Sequence, residues 1–266
     1  MNFATFLYYL QNVILFYQII ILPFLIILDK IYKYIKYYLH EILTTFQERN
    51  YMTNKQTLSD QIYDMLRKDI ISQKINCGQK LTLQTLKSQF NVSHTPIRQA
   101  LTRLSEDGLV TYFSNCGVSV VTFTREDIKQ LYQFIGELDV LAIQFCKLSY
   151  AQEPLLFELE EIINKCISLL KDNNITEWKA YSDNFHYIFY KYAENHYLNE
   201  SAQKLRAKIE LISNLYYSEE NVEKIQESHT IIYQSIQAKD FDKASEFMRK
   251  HLQYDMIFAL KVFENR

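Results

Sequence analysis

One stretch constrains this chain more than any other: Asn91-Val92-Ser93-His94-Thr95-Pro96-Ile97-Arg98-Gln99-Ala100-Leu101-Thr102-Arg103-Leu104. It reads as a short turn feeding a helix that starts abruptly. Ser93 and Thr95 can both act as N-cap, and Pro96 suits the first helical position, where a missing N–H costs nothing. Ile97, Leu101 and Leu104 recur at i, i+4 and i+7 and predict one buried stripe. Thr95, Arg98, Gln99, Thr102 and Arg103 fall off that stripe and face outward. Such side chains at one end of an exposed helix suit phosphates and base edges in a DNA major groove. The solvated side of an ordinary amphipathic helix carries the same pattern, so the neighbouring segments decide.

Those neighbours are specific. Leu58, Ile62, Met65, Leu66 and Ile70 predict a first helix, broken by Asn76-Cys77-Gly78-Gln79, with Gly78 as a positive-φ turn residue. Leu83, Leu86 and Phe90 predict a short second helix opened by Thr82. The third helix ends near Asp107-Gly108, where Gly108 acts as the stop. Residues 109–113 and 118–123 are β-rich and joined by Ser114-Asn115-Cys116-Gly117, which reads as a hairpin. Three helices and a two-stranded ribbon make a winged helix-turn-helix over residues 52–124, with the Asn115–Gly117 tip as the wing.

Beyond residue 124 no strand-like alternation occurs. Only four glycines and three prolines in 266 residues disfavour sandwiches, barrels and glycine-loop nucleotide folds. Thr124-Arg125-Glu126-Asp127 caps a helix whose apolar positions run from Ile128 to Phe145. Further helical blocks cover 154–171, 175–193, 197–217, 222–238 and 241–263, punctuated by Asn173-Asn174, Glu194-Asn195 and Lys239-Asp240. Residues 125–266 therefore predict an all-α bundle of about six helices, and the chain as a whole is mainly α.

Charge is uneven: residues 52–124 carry 8 basic against 5 acidic side chains, and residues 125–266 carry 17 against 23. The small basic excess points to the middle segment as the part that meets a polyanion. Cys77, Cys116, Cys146 and Cys166 form no CxxC pair and read as reduced thiols.

Residues 1–51 stand apart. Residues 3–28 carry no charge and clear the roughly 20 residues that a membrane-crossing helix needs. Lys30, Lys33 and Lys36 follow, which would leave the rest of the chain on the cytoplasmic side. The alternative is that translation starts at Met52, ahead of the polar run Thr53–Thr57, with residues 1–51 being upstream sequence. Cytoplasmic placement is expected, with anchoring to the inner face of the cell membrane by residues 3–28 as the alternative.

The middle segment resembles the GntR-type bacterial transcription regulators. The resemblance rests on Gly78-Gln79-Lys80-Leu81, on the block from Val92 to Leu101, on Arg103-Leu104, on Asp107-Gly108-Leu109-Val110 and on Gly117-Val118-Ser119-Val120. It implies that Thr95, Arg98 and Arg103 contact DNA and that Gly117 belongs to a wing approaching the minor groove. The DNA-facing set is then Ser93, His94, Thr95, Arg98, Gln99, Thr102, Arg103, Asn115 and Gly117. His94, Gln99 and Thr102 depart from the arginine, glutamate and arginine common in the family, so the operator sequence should differ from those of relatives.

The C-terminal segment resembles the FCD effector domain of the FadR-type branch. Phe185-His186, Ser228-His229 and Met248-Arg249-Lys250-His251-Leu252 match its three histidine positions, and Asn195-His196-Tyr197-Leu198 its helix junction. In relatives the three imidazoles hold a divalent metal below a pocket for a small carboxylate; zinc, nickel, iron and manganese all suit such ligands. The fourth family ligand lies four residues before the first histidine, where this chain has Ser182. Asp183, on the same helical face, could substitute after a small rotation. The arginine that relatives use for the effector is also missing, Ile135 holding its place.

The resemblance implies a metabolite-responsive regulator that binds a pseudo-palindromic double-stranded operator as a homodimer, with a small-molecule effector, an organic acid among the candidates. A membrane-tethered regulator or sensor is the alternative. A metal-dependent hydrolase is the remaining option, since three histidines and a metal-bound water could cleave an ester or amide. The sequence offers it neither a well-placed general base nor an oxyanion motif, so no enzyme is expected.

Overall fold

The computed structural model describes residues 56–113, 117–215 and 219–264, together with Leu15, Tyr17, Ile21, Leu22, Phe24, Leu28, Tyr32 and Ile35. The expected membrane segment 3–28 and the candidate start at Met52 lie almost wholly outside these residues. Among the described residues, no helix is long and apolar enough to cross a membrane.

The head opens with α1 (Leu58–Ile71), capped by Thr57 in a reciprocal box with Asp60. A two-residue strand β1 (Lys80–Leu81), α2 (Leu83–Phe90) and α3 (His94–Glu106) follow. The strands β2 (Val110–Phe113) and β3 (Gly117–Val120) close the head. Thr82 caps α2 through its side chain, and Asn91 ends it in the left-handed conformation. Helix α3 starts earlier than the sequence suggests. Ser93 is its N-cap, without a side-chain cap bond, so Pro96 stands third rather than first. That place still tolerates proline, because none of the first four N–H groups has a partner within the helix. At its far end Leu109 N donates to Leu104 O at 2.9 Å and Gly108 N to Ser105 O at 3.0 Å, with Gly108 at φ +71°. This is a Schellman stop.

The wing differs from a two-stranded ribbon. β1 pairs antiparallel with β3, giving a three-stranded sheet in the order β1-β3-β2. A strand of two residues is too short to show alternation in sequence. Under the sheet, Ile62, Leu66 and Ile70 meet Leu86, then Ile97, Leu101 and Leu104, then Val110, Val118 and Val120.

Among the described residues six further helices follow: α4 (Arg125–Leu148), α5 (Gln152–Lys171), α6 (Ile175–Tyr192), α7 (His196–Ser213), α8 (Glu219–Gln237) and α9 (Phe241–Glu264). Caps at Thr124, Asn174 and Asn195 accept backbone N–H groups at three of their starts. With glycine so scarce, the turns after α5, α6 and α8 use Asn173, Glu194 and Lys239 at positive φ. α4 packs chiefly against α9, and α5 against α6 and α8. The core of the head continues into this bundle: Ala207 and Leu211 of α7 belong to the same apolar cluster as α1 and α3. Arg67 of α1 pairs with Glu210 of α7 at 2.7 Å.

Candidate functional site: a DNA-reading face and a buried histidine centre

On α3 the apolar positions Ile97, Ala100, Leu101 and Leu104 are buried, which turns the opposite face to solvent. Ser93, His94, Thr95, Arg98, Gln99, Thr102 and Arg103 are all exposed on it. Arg98 and Gln99 lie in the first half of the helix, the end that enters a major groove in helix-turn-helix proteins. Arg103 is already engaged. Its Nη1 donates to Asp60 Oδ1 at 2.5 Å, and its guanidinium lies 4.0 Å from the Tyr63 ring centre. Thr102 Oγ1 sits 3.5 Å from the Tyr112 hydroxyl of β2. Gly117 opens β3 at φ +89°, a conformation that favours glycine, and a Cβ there would stand 3.2 Å from the Leu81 carbonyl oxygen, tight enough to push that backbone by a few tenths of an ångström. Asn115 lies outside the described residues.

The bundle buries the second candidate. His186 comes from α6, His229 from α8 and His251 from α9, with relative exposures of 4%, 1% and 2%. Their ligating atoms lie within 4.8 Å of one another. His229 Nε2 is 3.1 Å from His251 Nε2, which is 3.4 Å from His186 Nε2. For metal–nitrogen bonds of about 2.0–2.1 Å, two nitrogens on one ion lie about 3.0 Å apart at a right angle and about 3.4 Å apart at the tetrahedral angle. Two of the three nitrogen pairs therefore have the spacing of neighbouring ligands on one ion, with the third pair within 4.8 Å. Phe185 stacks on the His229 ring at 4.2 Å and fixes it from one side.

Burial holds all three imidazoles neutral: it draws His186 down to about 4 and the other two well below the usual histidine range. The neighbouring histidines and Arg206 push His229 and His251 the same way. A neutral imidazole is the form that binds metal.

A second layer surrounds His186. Its Nδ1 lies 2.9 Å from Asp139 Oδ2 and 3.0 Å from Arg206 Nη2. One tautomer cannot serve both. The Nδ1–H form donates to the carboxylate and turns the Nε2 lone pair toward the other two histidines, the arrangement that orients metal-binding histidines. Arg206 also pairs directly with Asp139, and the Tyr190 hydroxyl donates to the other carboxylate oxygen.

Asp183 is not brought into the group of ligating atoms, which among the described residues comprises the three histidines. It is half-buried, and burial together with Glu210 lifts its carboxyl to about 8. Ser182 is buried beside His186, and its hydroxyl has no hydrogen-bond partner among the described residues. Ile135 lies in the core, and a guanidinium reaches the centre from a different helix, that of Arg206 in α7. Asp139, Tyr190, Arg206 and Asp255 escape a reading of the sequence. Only the helical period, which puts Asp139 among the buried positions of α4 and Arg206 among those of α7, hinted at the first and third.

Comparisons with known proteins agree with both halves. Residues 58–120 match the family model described as bacterial regulatory proteins of the gntR family, and residues 130–254 match the FCD domain. YdhC, an HTH-type transcriptional regulator of Bacillus subtilis strain 168, is 24% identical over 206 residues, covering 77% of this chain and 92% of its own. The HTH-type transcriptional repressor RspR of Escherichia coli K12 is 25% identical over 201 residues, covering 74% and 87%. Among solved structures, McbR/YncC of E. coli superposes with a TM-score of 0.67 at 18% identity, over 78% of this chain and 99% of that one, which speaks for the fold.

Proposed function

Because the chain belongs to the GntR family of transcription regulators, with an FCD domain behind its helix-turn-helix head, we propose that it is a metabolite-responsive regulator whose DNA affinity is set from the histidine centre. One observation carries this reading: α7 touches both the histidine centre and the core of the head that carries α3. Arg206 reaches His186, while the next residue, Ala207, lies with Leu211 in the core of the head, and Glu210 grips Arg67. Any ligand that shifts Arg206 or His186 pulls on the helix against which α1 packs, and whose Ala207 and Leu211 share the core of the head. Affinity for DNA then changes to the extent that the ligand prefers one arrangement over the other.

His94, Arg98, Gln99 and Thr102 are the residues proposed to read the operator, with Ser93, Thr95, Asn115 and Gly117 near phosphates. A homodimer is supported by α4, where Phe134, Leu141 and Leu148 recur every seven residues with 57%, 42% and 76% exposure. A second copy would cover this stripe. His186, His229 and His251 would hold a divalent zinc, nickel, iron or manganese ion, which when bound supplies a Lewis-acidic anchor for a small acidic effector. Binding an operator places the protein in the cytoplasm, with tethering at the inner membrane face through residues 3–28 as the alternative.

A gel shift of the purified protein on the DNA upstream of its own coding sequence tests the reading. Sequence-dependent binding that survives physiological salt is expected; binding that matches random DNA of the same length would refute it.

A further inference from the structure

The centre as described has three nitrogen donors and no carboxylate at the family position, where Ser182 stands. Yet a carboxylate is close, on a different helix. Asp255 follows His251 by one turn of α9, so the two side chains share a face. Its Oδ2 lies 3.6 Å from His251 Nε2, the same nitrogen that faces His186 and His229. With metal–oxygen bonds of about 2.0–2.2 Å, an oxygen and a nitrogen on one ion stand about 3.0–3.4 Å apart. The observed separation from that one nitrogen is within a few tenths of an ångström of that; the carboxylate stands outside the 4.8 Å group of the three histidine nitrogens, so ligation requires its side chain to turn inward.

Two further facts aim this group at a cation. Asp255 is nine-tenths buried, and its Oδ1 has no hydrogen-bond partner among the described residues. A buried carboxylate oxygen left in that state is costly unless something positive takes it up. The charged groups nearby do not: Arg206 is matched by Asp139. Three neutral imidazoles bring no charge to balance a dication, and an ionised Asp255 would supply one of the two negative charges. The FCD match ends at residue 254, one position short of this residue.

We propose that Asp255 is the carboxylate ligand of the histidine centre, supplying from α9 the donor that Ser182 does not supply from α6. The proposal rests on the reading of the three histidines as a metal site. Zinc titration of the full-length protein against a chromophoric chelator tests the two together and apart. Wild type should bind one Zn²⁺ per chain, and Asp255→Asn should bind it about 10- to 100-fold more weakly. Adding Ser182→Asp to that variant should restore at least tenfold. Unchanged affinity in Asp255→Asn beside a wild type that binds would overturn the assignment of Asp255 and leave the histidine site standing. Failure of wild type to bind would overturn both. Should Asp255→Asn not fold, Asp255→Cys loaded with Co²⁺ decides: a thiolate-to-cobalt charge-transfer band absent from wild type supports direct ligation, and its absence refutes it.

Discussion

In the reading head, seven candidate contact residues fall between positions 93 and 103 of one helix start, and all are exposed. In the bundle, the histidine centre draws on five helices. His186 meets Asp139 across 47 positions and His251 across 65, and every side chain involved is buried. The difference sets how each can vary. An exposed residue on α3 can change at a cost usually within about 0.5 kcal/mol of fold stability, so its substitution reads out binding alone. A residue of the centre holds up the bundle while it serves a ligand. The exposed face of α3 can therefore change without loss of the fold, while the centre must change in compensated steps.

The sharpest way to break that contrast is Asp139→Ala. It leaves Arg206 buried without its carboxylate and His186 without its orienting partner. Removing one member of a buried pair costs about 3–5 kcal/mol, so the urea midpoint should fall sharply. Asp139→Leu combined with Arg206→Met should lose much less than the single substitutions together. Equal losses would mean that the pair does not hold the core.

On the exposed side, Arg98→Ala should weaken operator binding about 10- to 100-fold, the equivalent of about 1–3 kcal/mol for one bidentate base contact. Fluorescence anisotropy at fixed salt measures it, and thermal stability should stay within a degree or two. His251→Ala should do the reverse, abolishing metal uptake while basal DNA binding stays within a few-fold.

That asymmetry also explains what the sequence could disclose. Local rules suffice where structure is local. Caps at Thr82, Thr124, Asn174 and Asn195, the stop at Gly108 and the buried stripe of α3 all follow from neighbours within a turn or two. The histidines were legible only in their order along the chain, through likeness to a family. Nothing local announces that Asp139, Arg206 and Asp255 converge on them, because that convergence is a property of how α4, α7 and α9 pack. β1 was invisible for the same reason: Lys80 and Leu81 are a strand only because Ser119 and Val118 lie alongside.

Where the two regions join, a smaller effect is expected. Gly108 ends α3 at φ +71° and faces Lys208 of α7, whose Cε would be 2.6 Å from an added Cβ. Gly108→Ala should cost about 1–2 kcal/mol, most of it backbone strain, because the lysine tip can move aside. Calorimetry of Gly108→Ala with and without Lys208→Ala separates the two. Recovery of most of the loss by the second substitution would shift the cause from backbone to contact.

The smallest effect concerns Arg103, which likeness to the family puts on DNA and the fold holds against α1. Its ion pair with Asp60 is exposed and screened by solvent, so it holds the guanidinium only weakly, and the Tyr63 ring adds a modest cation–π contact. A phosphate that recruits this guanidinium must first compete with both, so little net affinity remains to be lost. Arg103→Ala should therefore weaken operator binding only a few-fold, well short of Arg98→Ala. The slope of log affinity against log salt should drop by less than the roughly 0.9 that one full phosphate contact gives on B-form DNA. A loss as large as that of Arg98→Ala, with the full drop in slope, would mean that Arg103 leaves Asp60 entirely on binding. The head would then rearrange on DNA rather than dock as it stands.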